Sequence, residues 1–284
     1  MKEVVITADS TCDLPKHIID KYGIIITPLS VLLGENSYLD GVDVFPKDIY
    51  DYVSKTGDLP KTAAVPPSSY IELFEELTSQ GKSVVHIGLS SAISSSYQNS
   101  RIAAAEFDDV YCVDSKSLCT AMGLLVLKAC DLREKGFDAK KIANRVNSLV
   151  PKVSTTFILD SLKYLHKGGR CSGVERFGAN VLGIKPSIAV DPSTGKLDVA
   201  KKYRGKMDTV YKQYINDCLK DTKKIDTSRI VIANSGDIPP EILSFAKGVI
   251  EGTKDFNEII TADAGCTISS HCGPRTLAIF YIKK

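Results

Sequence analysis

Six serines and one tyrosine fall within residues 89–100, directly after the apolar run Val84–Gly88. A strand that leads into a Ser-rich helix start places hydroxyl groups and free backbone N–H groups at the carboxyl edge of a parallel sheet. The partial positive charge at a helix N-terminus stabilises an anion at such a place. These residues therefore predict a site for an anionic head group.

The composition narrows the class of protein. A chain of 284 residues is long enough for two domains of ordinary size. Hydrophobic residues at 43% and charged residues at 25% are typical of a globular protein with a buried core. The net charge of +2 gives no indication of a nucleic-acid partner. Residues 1–7 are too short for a signal peptide, and no segment approaches the ~18 apolar residues of a membrane span. We expect a cytoplasmic protein with at most transient membrane contact.

The eight cysteines contain no C-x-x-C pair. Most of them lie in apolar or helical surroundings, which is typical of reduced and packed thiols. The sequence therefore predicts no structural zinc and no other metal site.

In the first half of the chain, the elements that must position these residues alternate between strand and helix. Strands are predicted at Val4–Ala8, Ile24–Leu29, Val84–Leu89 and Val110–Val113, with a hairpin of Val31–Leu33 and Ser37–Leu39. Helices are predicted from Pro15 to Gly23 and at Pro46–Lys55, Ser69–Gln80, Ser94–Glu106, Met122–Lys135 and Ala139–Leu149. This alternation predicts an α/β domain over residues 1–152, with three layers and a mainly parallel sheet.

The pattern changes after Pro151. Strands are predicted at Ser154–Leu159, Ile184–Val190, Lys196–Ala200, Arg229–Ala233, Glu258–Ala262 and Leu277–Ile282. Helices are predicted at Ser161–His166, Met207–Leu219 and Pro240–Ile250. Residues 153–284 should therefore form a second, mixed α/β domain with a largely antiparallel sheet.

Several pieces along the whole chain resemble one known family. They are 9–15 (DSTCDLP), Thr62 with Pro67, 94–98 (SSSYQ), 113–115 (VDS), 162–170 (LKYLHKGGR), 184–186 (IKP) and 271–274 (HCGP). The order of these motifs and their distribution along the chain resemble those of the DegV family, the fatty-acid-binding proteins of many Gram-positive bacteria.

The resemblance implies two α/β domains and one bound long-chain fatty acid. Head-group loops would lie in residues 1–152 and the acyl-chain tunnel in residues 153–284. Members of this family present the carboxylate to a separate ATP-dependent fatty acid kinase, which makes acyl phosphate for phospholipid synthesis. An acyltransferase is a further candidate partner. On this basis the chain is a carrier without catalytic activity and has no cofactor besides its fatty acid.

The resemblance also assigns the carboxylate site to Ser94, Thr62 and His271. A buried carboxylate needs hydrogen-bond donors beside a dry tunnel, and these side chains supply them. Each has a structural alternative. Ser94 could only cap the following helix, Thr62 could be a loop hydroxyl, and His271 could be a turn residue before Gly273.

Two arginines, Arg170 and Arg204, are the cations that we assign to the kinase or to the phosphate of the product. A guanidinium group suits phosphate because its planar fork donates two parallel hydrogen bonds. The alternative for both is an ordinary surface arginine or an ion pair.

Two stretches differ from the pattern of many relatives. Residues 62–66 read Thr-Ala-Ala-Val-Pro in place of Thr-Ser-Gln-Pro-Ser, and Ser95-Ser96 stands in place of Gly-Thr. The first change removes a hydroxyl and an amide from the expected pocket, so only the role of Thr62 carries over. The second places side chains where glycine allows close backbone approach.

A serine hydrolase is the main rival from another class. Residues 88–92 (GLSSA) come close to the nucleophile elbow G-x-S-x-G, with Ser90 as nucleophile and His271 as base. The last glycine of that motif is alanine here. A DNA-binding regulator lacks support because the helices carry mixed charge. The first β-α turn, 9–13 (DSTCD), is not the glycine-rich loop of a dinucleotide-binding domain.

Overall fold

The computed structural model describes residues 2–171 and 184–284. The strands in these ranges form three sheets. They are β1 (Val4–Asp9), β2 (Ile25–Thr27), β3 (Ser30–Leu33), β4 (Asn36–Leu39), β5 (Lys61–Ala63), β6 (Ser83–Gly88), β7 (Val110–Asp114), β8 (Val153–Ile158), β9 (Ile184–Val190), β10 (Leu197–Arg204), β11 (Ile225–Asn234), β12 (Ile259–Asp263) and β13 (Leu277–Lys283).

The α-helices in the described ranges connect and cover these sheets. They are α1 (Lys16–Tyr22), α2 (Pro46–Thr56), α3 (Pro67–Ser79), α4 (Ser96–Ala104), α5 (Cys119–Glu134), α6 (Ala139–Leu149), α7 (Lys163–Gly168), α8 (Met207–Cys218), α9 (Pro240–Thr253) and α10 (Cys266–Cys272). None of the helices in the described part of the chain is both long and apolar enough to cross a bilayer.

The first sheet is parallel, with strand order β2-β1-β6-β7. Every residue of β1 and β6 is buried, because helices cover both faces of a parallel sheet. Helices α3 and α4 pack together on one face, and α5 and α6 pack together on the other. This arrangement confirms the predicted three-layer α/β architecture of the first half.

The second sheet has the order β10-β9-β8-β13-β11-β12. Only its β11–β12 pair is parallel, which confirms a largely antiparallel sheet. One face packs against α8 and α9 through Tyr211, Tyr214, Ile232 and Ile279. Because side chains alternate along a strand, neighbours such as Phe280 point to the other face, toward the first half of the chain.

Helix α5 lies between the two large sheets. It contacts β1 and β6 of the first sheet and β8, β11 and β13 of the second. Eleven of its sixteen residues are buried, as expected for a helix that is apolar all round. The hydrophobic core therefore continues across residue 152, and the domain boundary placed there stays a prediction.

Some local predictions were wrong. Residues 61–63 were not predicted as a strand, yet β5 pairs with β3 in a third small sheet, β4-β3-β5. No helix was predicted at residues 266–272, where the structure has α10. Helix α3 begins at Pro67 rather than Ser69, because proline suits a first helical turn that needs no N–H donor.

A cluster of charged side chains joins α5 to the second sheet. The Arg229 side chain is only 10% exposed. Its Nη1 and Nη2 donate to both carboxylate oxygens of Asp131 at 2.6 and 2.8 Å, and its Nε donates to Glu258 at 2.8 Å. Such two-pronged pairs are strong because both hydrogen bonds are charge-assisted.

Replacing Arg229 should therefore destabilise the fold. We expect Arg229→Ala to lower the free energy of unfolding by about 2–3 kcal/mol, because it leaves Asp131 without its cation. Urea unfolding measures the change. The control is Lys16→Ala, which removes an exposed pair with Asp20 and should change stability by less than about 0.5 kcal/mol. Equal effects of both variants would contradict a stabilising role for the buried cluster.

Candidate functional site

A cavity of about 120 Å³ lies between the two halves of the chain. The polar residues in its lining are Thr62, Ser94, Ser95, Arg170, Thr267 and His271. Much of the remaining wall is apolar and comes from both halves, including Leu29, Leu89, Ile93, Leu118, Phe157, Leu165, Leu197 and Ile268. The cavity is thus amphipathic, and the part of it beside Thr62, His271 and Arg170 is called here its head-group end.

A narrower slot of about 30 Å³ adjoins the cavity. The two spaces share Leu118, Phe157, Ile268 and Cys272, and the slot reaches Phe280 on the second sheet. Its polar neighbours already have partners inside the protein. Asn234 donates to Asp263, Ser235 donates to the carbonyl oxygen of Gly273, and Thr276 donates to that of Cys272. The slot therefore offers an apolar surface to anything that enters it.

Thr62 and His271 meet at the head-group end. Thr62 Oγ1 and His271 Nε2 are 2.8 Å apart, although the two residues are 209 positions apart in sequence. Thr62 sits in β5, where pairing with Val31 of β3 fixes its place. His271 sits in the last turn of α10. Thr62 therefore lies in a strand and His271 in a helix, not in the loop and the turn considered above, and their role toward a ligand stays a prediction.

The imidazole of His271 is neutral at physiological pH. Burial, followed by the positive charge of Arg170, lowers its pKa from 6.5 to about 4. Its Nδ1 is shielded from solvent and has no hydrogen-bond partner among the described residues. The head-group end therefore contains a neutral ring rather than a second cation.

Ser94 lies just before α4, at the carboxyl edge of the first sheet. Its Oγ accepts a hydrogen bond from the Ser96 N–H at 3.1 Å and lies 2.9 Å from Ser96 Oγ. These contacts fix the side chain and give it part of the capping role considered above. A hydroxyl oxygen can accept here and still donate its own proton to a ligand.

Arg170 and Arg204 lie at different distances from the cavity. Arg170 lines the cavity, and its Nη1 donates to the carbonyl oxygen of Gly168 at 2.7 Å. Arg204 ends β10, whereas Leu197 at the start of the same strand lines the cavity. Seven residues of strand span roughly 20 Å. The structure therefore brings Arg170 to the site and leaves Arg204 away from it.

Ser90 does not fit the nucleophile of a hydrolase. Its side chain is fully buried, and its Oγ donates to the carbonyl oxygen of Gly195 at 2.9 Å. His271, the base in that hypothesis, is hydrogen-bonded to Thr62 instead. The structure therefore contradicts the Ser90–His271 pair.

Asp9 and Ser10, at the end of β1 and in the loop after it, make structural hydrogen bonds. Asp9 accepts hydrogen bonds from the Tyr70 hydroxyl and from the Leu89 N–H. Ser10 donates to Asp40 and accepts from the Leu29 N–H. These hydrogen bonds hold the carboxyl ends of β1 and β6 in place against Tyr70, Asp40 and Leu29.

Sequence reasoning missed Asp40. Its carboxylate accepts hydrogen bonds from the N–H groups of Cys266 at 2.8 Å and Thr267 at 3.1 Å, in the first turn of α10. It therefore holds in place the helix that carries His271. No local pattern could have identified it, because donor and acceptor are more than 220 residues apart.

The cysteines contribute no metal site within the described ranges. All eight are free thiols. Residues 2–171 and 184–284 contain no group of three or more His, Cys, Asp or Glu side chains suited to a metal ion.

Comparison with known proteins gives consistent matches over nearly the whole chain. The family model described as an uncharacterised protein of the DegV family matches residues 3–284. A DegV domain-containing protein of Clostridium acetobutylicum is 32% identical over 288 residues, with all of both chains covered.

Solved structures share the fold. A Thermus thermophilus DegV family protein described by its fatty acid binding aligns with a TM-score of 0.90 and 24% identity, covering 99% of this chain and 100% of the other. A stearic acid-binding protein of Eubacterium ventriosum aligns with a TM-score of 0.84 and 26% identity, covering 100% of this chain and 99% of the other.

The lowered pKa of His271 predicts a pH dependence of stability. Between pH 6.5 and 4 His271 binds a proton in the unfolded chain, whereas in the folded chain the ring stays neutral. The stabilisation is therefore complete above about pH 6.5 and is lost as the pH falls toward 4. From pH 7 to pH 5 we expect the native chain to lose about 2 kcal/mol more of its unfolding free energy than His271→Gln does.

Urea unfolding at both pH values measures this difference. The control is His17→Gln, which replaces an exposed histidine of α1 and should keep the native pH dependence. If His271→Gln also kept the native pH dependence of unfolding, the fold would not be the cause of a lowered pKa at His271.

Proposed function

This chain is a member of the DegV family, and on that premise we propose that it binds one long-chain fatty acid. The carboxylate lies at Thr62, Ser94 and His271, and the acyl chain extends through the cavity into the slot. The observation that carries this proposal is the presence of hydroxyl and imidazole groups, including the hydrogen-bonded pair Thr62 and His271, in the wall of an otherwise largely apolar cavity.

Hydrogen bonding accounts for the polar end. A carboxylate that leaves water must find donors to replace those it loses, and an unpaired one costs several kcal/mol. Thr62 and Ser94 both line the cavity and each carries a hydroxyl proton. Two neutral donors suit a single carboxylate, and Arg170, in the wall of the same cavity, is assigned to the later kinase step.

Burial of apolar surface accounts for the acyl chain. Each buried methylene contributes about 0.8 kcal/mol, so a long chain gains most of its affinity in the cavity and slot. The polar groups beside the slot are already hydrogen-bonded within the protein, so an apolar chain there leaves none of them without a partner. The stearic acid-binding relative from Eubacterium ventriosum supports a ligand of this class.

The same arrangement favours a carrier over a catalyst. Ser90 is fully buried and its hydroxyl donates to the carbonyl oxygen of Gly195, so it is not available as a nucleophile. We propose that the protein acts in the cytoplasm without a further cofactor and presents the carboxylate to an ATP-dependent kinase that forms acyl phosphate for phospholipid synthesis. The exposed Arg170 beside the head-group end supports such a hand-over.

The first test combines extraction of the ligand with removal of its donors. Denatured protein, extracted with organic solvent, should yield close to one fatty acid per chain by mass spectrometry. Ser94→Ala and Thr62→Val should each weaken binding of added fatty acid by roughly ten- to a hundredfold, because each removes a donor to a buried charge.

Ser79→Ala is the matched control, since Ser79 lies at the exposed end of α3 and should leave affinity unchanged. Absence of lipid, together with failure to take up added fatty acid, would contradict the proposed function. Unchanged affinity in Ser94→Ala or Thr62→Val would contradict only the assignment of that residue.

The two arginines predict a separate effect on the kinase step. Arg170→Ala and Arg204→Ala should retain fatty acid binding but slow acyl phosphate formation when the kinase and ATP are supplied. The matched control is Arg145→Ala, which removes a guanidinium group that lies over the Phe137 ring. Normal rates of acyl phosphate formation in both variants would contradict a role of Arg170 and Arg204 in the kinase step and would make them ordinary surface charges.

A further inference from the structure

Three hydroxyl groups lead from the wall of the cavity into the interior of the first half. Ser94, which lines the cavity, has its Oγ 2.9 Å from Ser96 Oγ. The Ser96 hydroxyl is hydrogen-bonded in turn to the Tyr70 hydroxyl, and Tyr70 donates to Oδ1 of Asp9. Ser96, Tyr70 and Asp9 are all fully buried. The hydroxyl groups of Ser94, Ser96 and Tyr70, called here the hydroxyl relay, thus join the cavity to a buried carboxylate.

The inner end of the hydroxyl relay has a fixed direction. A carboxylate oxygen accepts hydrogen bonds and donates none, so the proton of the Tyr70 hydroxyl points to Asp9. Asp9 also accepts from the Leu89 N–H at 2.8 Å, and His86 Nε2 lies 3.3 Å from Asp9 Oδ1. The other ring nitrogen of His86 lies 3.0 Å from Thr7 Oγ1. These neighbours hold the carboxylate in place as an acceptor.

The direction of the next hydrogen bond follows from its effect on Tyr70. Burial, followed by the charge of Asp9, raises the pKa of Tyr70, whereas the hydrogen bond with Ser96 acts in the opposite direction. A hydrogen bond lowers the pKa of a phenol when it is donated to the phenol oxygen, so Ser96 is the donor. The Ser96 oxygen is then free to accept the hydroxyl proton of Ser94. Ser94 Oγ itself accepts from the Ser96 N–H at 3.1 Å.

We propose that Asp9 and Tyr70 are positioning residues that compete, through Ser96, with the ligand carboxylate for the hydroxyl proton of Ser94. With a ligand bound, the three protons of the hydroxyl relay serve four contacts between two carboxylates, so one contact is always without a proton. The Ser94 proton therefore points either inward to Ser96 or outward to the ligand.

This competition makes release of the ligand easier. When the carboxylate leaves, Ser94 turns its proton back to Ser96 and keeps a hydrogen-bond acceptor inside the protein. The hydroxyl relay thus lowers the affinity below the value that Ser94 alone would give. This inference rests on the proposed function for its ligand.

Tyr70→Phe tests the competition because it removes the inner acceptor. The Ser96 proton then turns to Ser94 Oγ, and the Ser94 proton is left for the ligand. We expect roughly two- to tenfold tighter binding of fatty acid, which corresponds to one hydrogen bond. The matched control is Tyr211→Phe. Tyr211 donates a buried hydroxyl to the carbonyl oxygen of Arg275, on the face of the second sheet turned away from the first half, so its loss should leave the affinity unchanged.

A double-mutant cycle shows whether the effect passes through Ser94. In the Ser94→Ala background, Tyr70→Phe should change the affinity by less than about twofold, because no Ser94 proton is left to redirect. An equal change in both backgrounds would mean that Tyr70 acts by packing and would overturn the proposal.

Infrared spectra of bound fatty acid with ¹³C in its carboxyl group give a second readout. In Tyr70→Phe the antisymmetric stretch of the bound carboxylate should move to lower frequency, because the hydrogen bond from Ser94 is stronger. An unchanged frequency would overturn the proposal.

Ser96→Ala keeps the test decisive if Tyr70→Phe does not fold. It leaves Tyr70 and Asp9 intact, retains the backbone N–H that fixes Ser94, and removes the acceptor of the Ser94 proton. We expect the same tightening of fatty acid binding. Native or weaker affinity in either variant, in a protein that binds fatty acid, would overturn this inference alone. Failure of the native protein to take up fatty acid would contradict the proposed function and this inference with it.

Discussion

The carboxylate of Asp40 accepts hydrogen bonds from the first turn of α10, and the geometry of the head-group end depends on this contact. A helix of seven residues has little stability of its own, since nucleation costs more than a few hydrogen bonds return. Asp40 satisfies the unpaired N–H groups of Cys266 and Thr267 and is itself held by Ser10. With its start fixed in this way, α10 places His271 against Thr62.

Helix α5 imposes the second constraint because it separates the two large sheets. Along most of α5 the two halves share one continuous hydrophobic core, because the helix packs against strands of both sheets. Where α5 begins, near Leu118 and Cys119, the packing opens into the slot and the cavity. The apolar ligand space is thus a gap between two layers of one core, with its polar groups supplied by loops and short elements at the edge.

The chemistry of the site relies on neutral donors for its closest contacts. A charged histidine beside Arg170 would add a second cation in a partly buried place, and burial disfavours that form. A neutral ring can instead hold the Thr62 hydroxyl in one orientation. Under the proposed function, binding and release of a carboxylate would then require no proton transfer to or from the protein.

The sequence by itself determined the two sheets, most of the helices and the serine-rich turn at residue 94, because apolar periodicity and turn residues act locally. It also singled out Thr62, His271 and Arg170, which line the cavity, and Arg204, whose contact with the kinase stays a prediction. Only the tertiary structure decided β5, α10 and the partner of His271. Those features depend on hydrogen bonds between residues up to 227 positions apart, such as Asp40 to Thr267, and such bonds leave no local pattern in the chain.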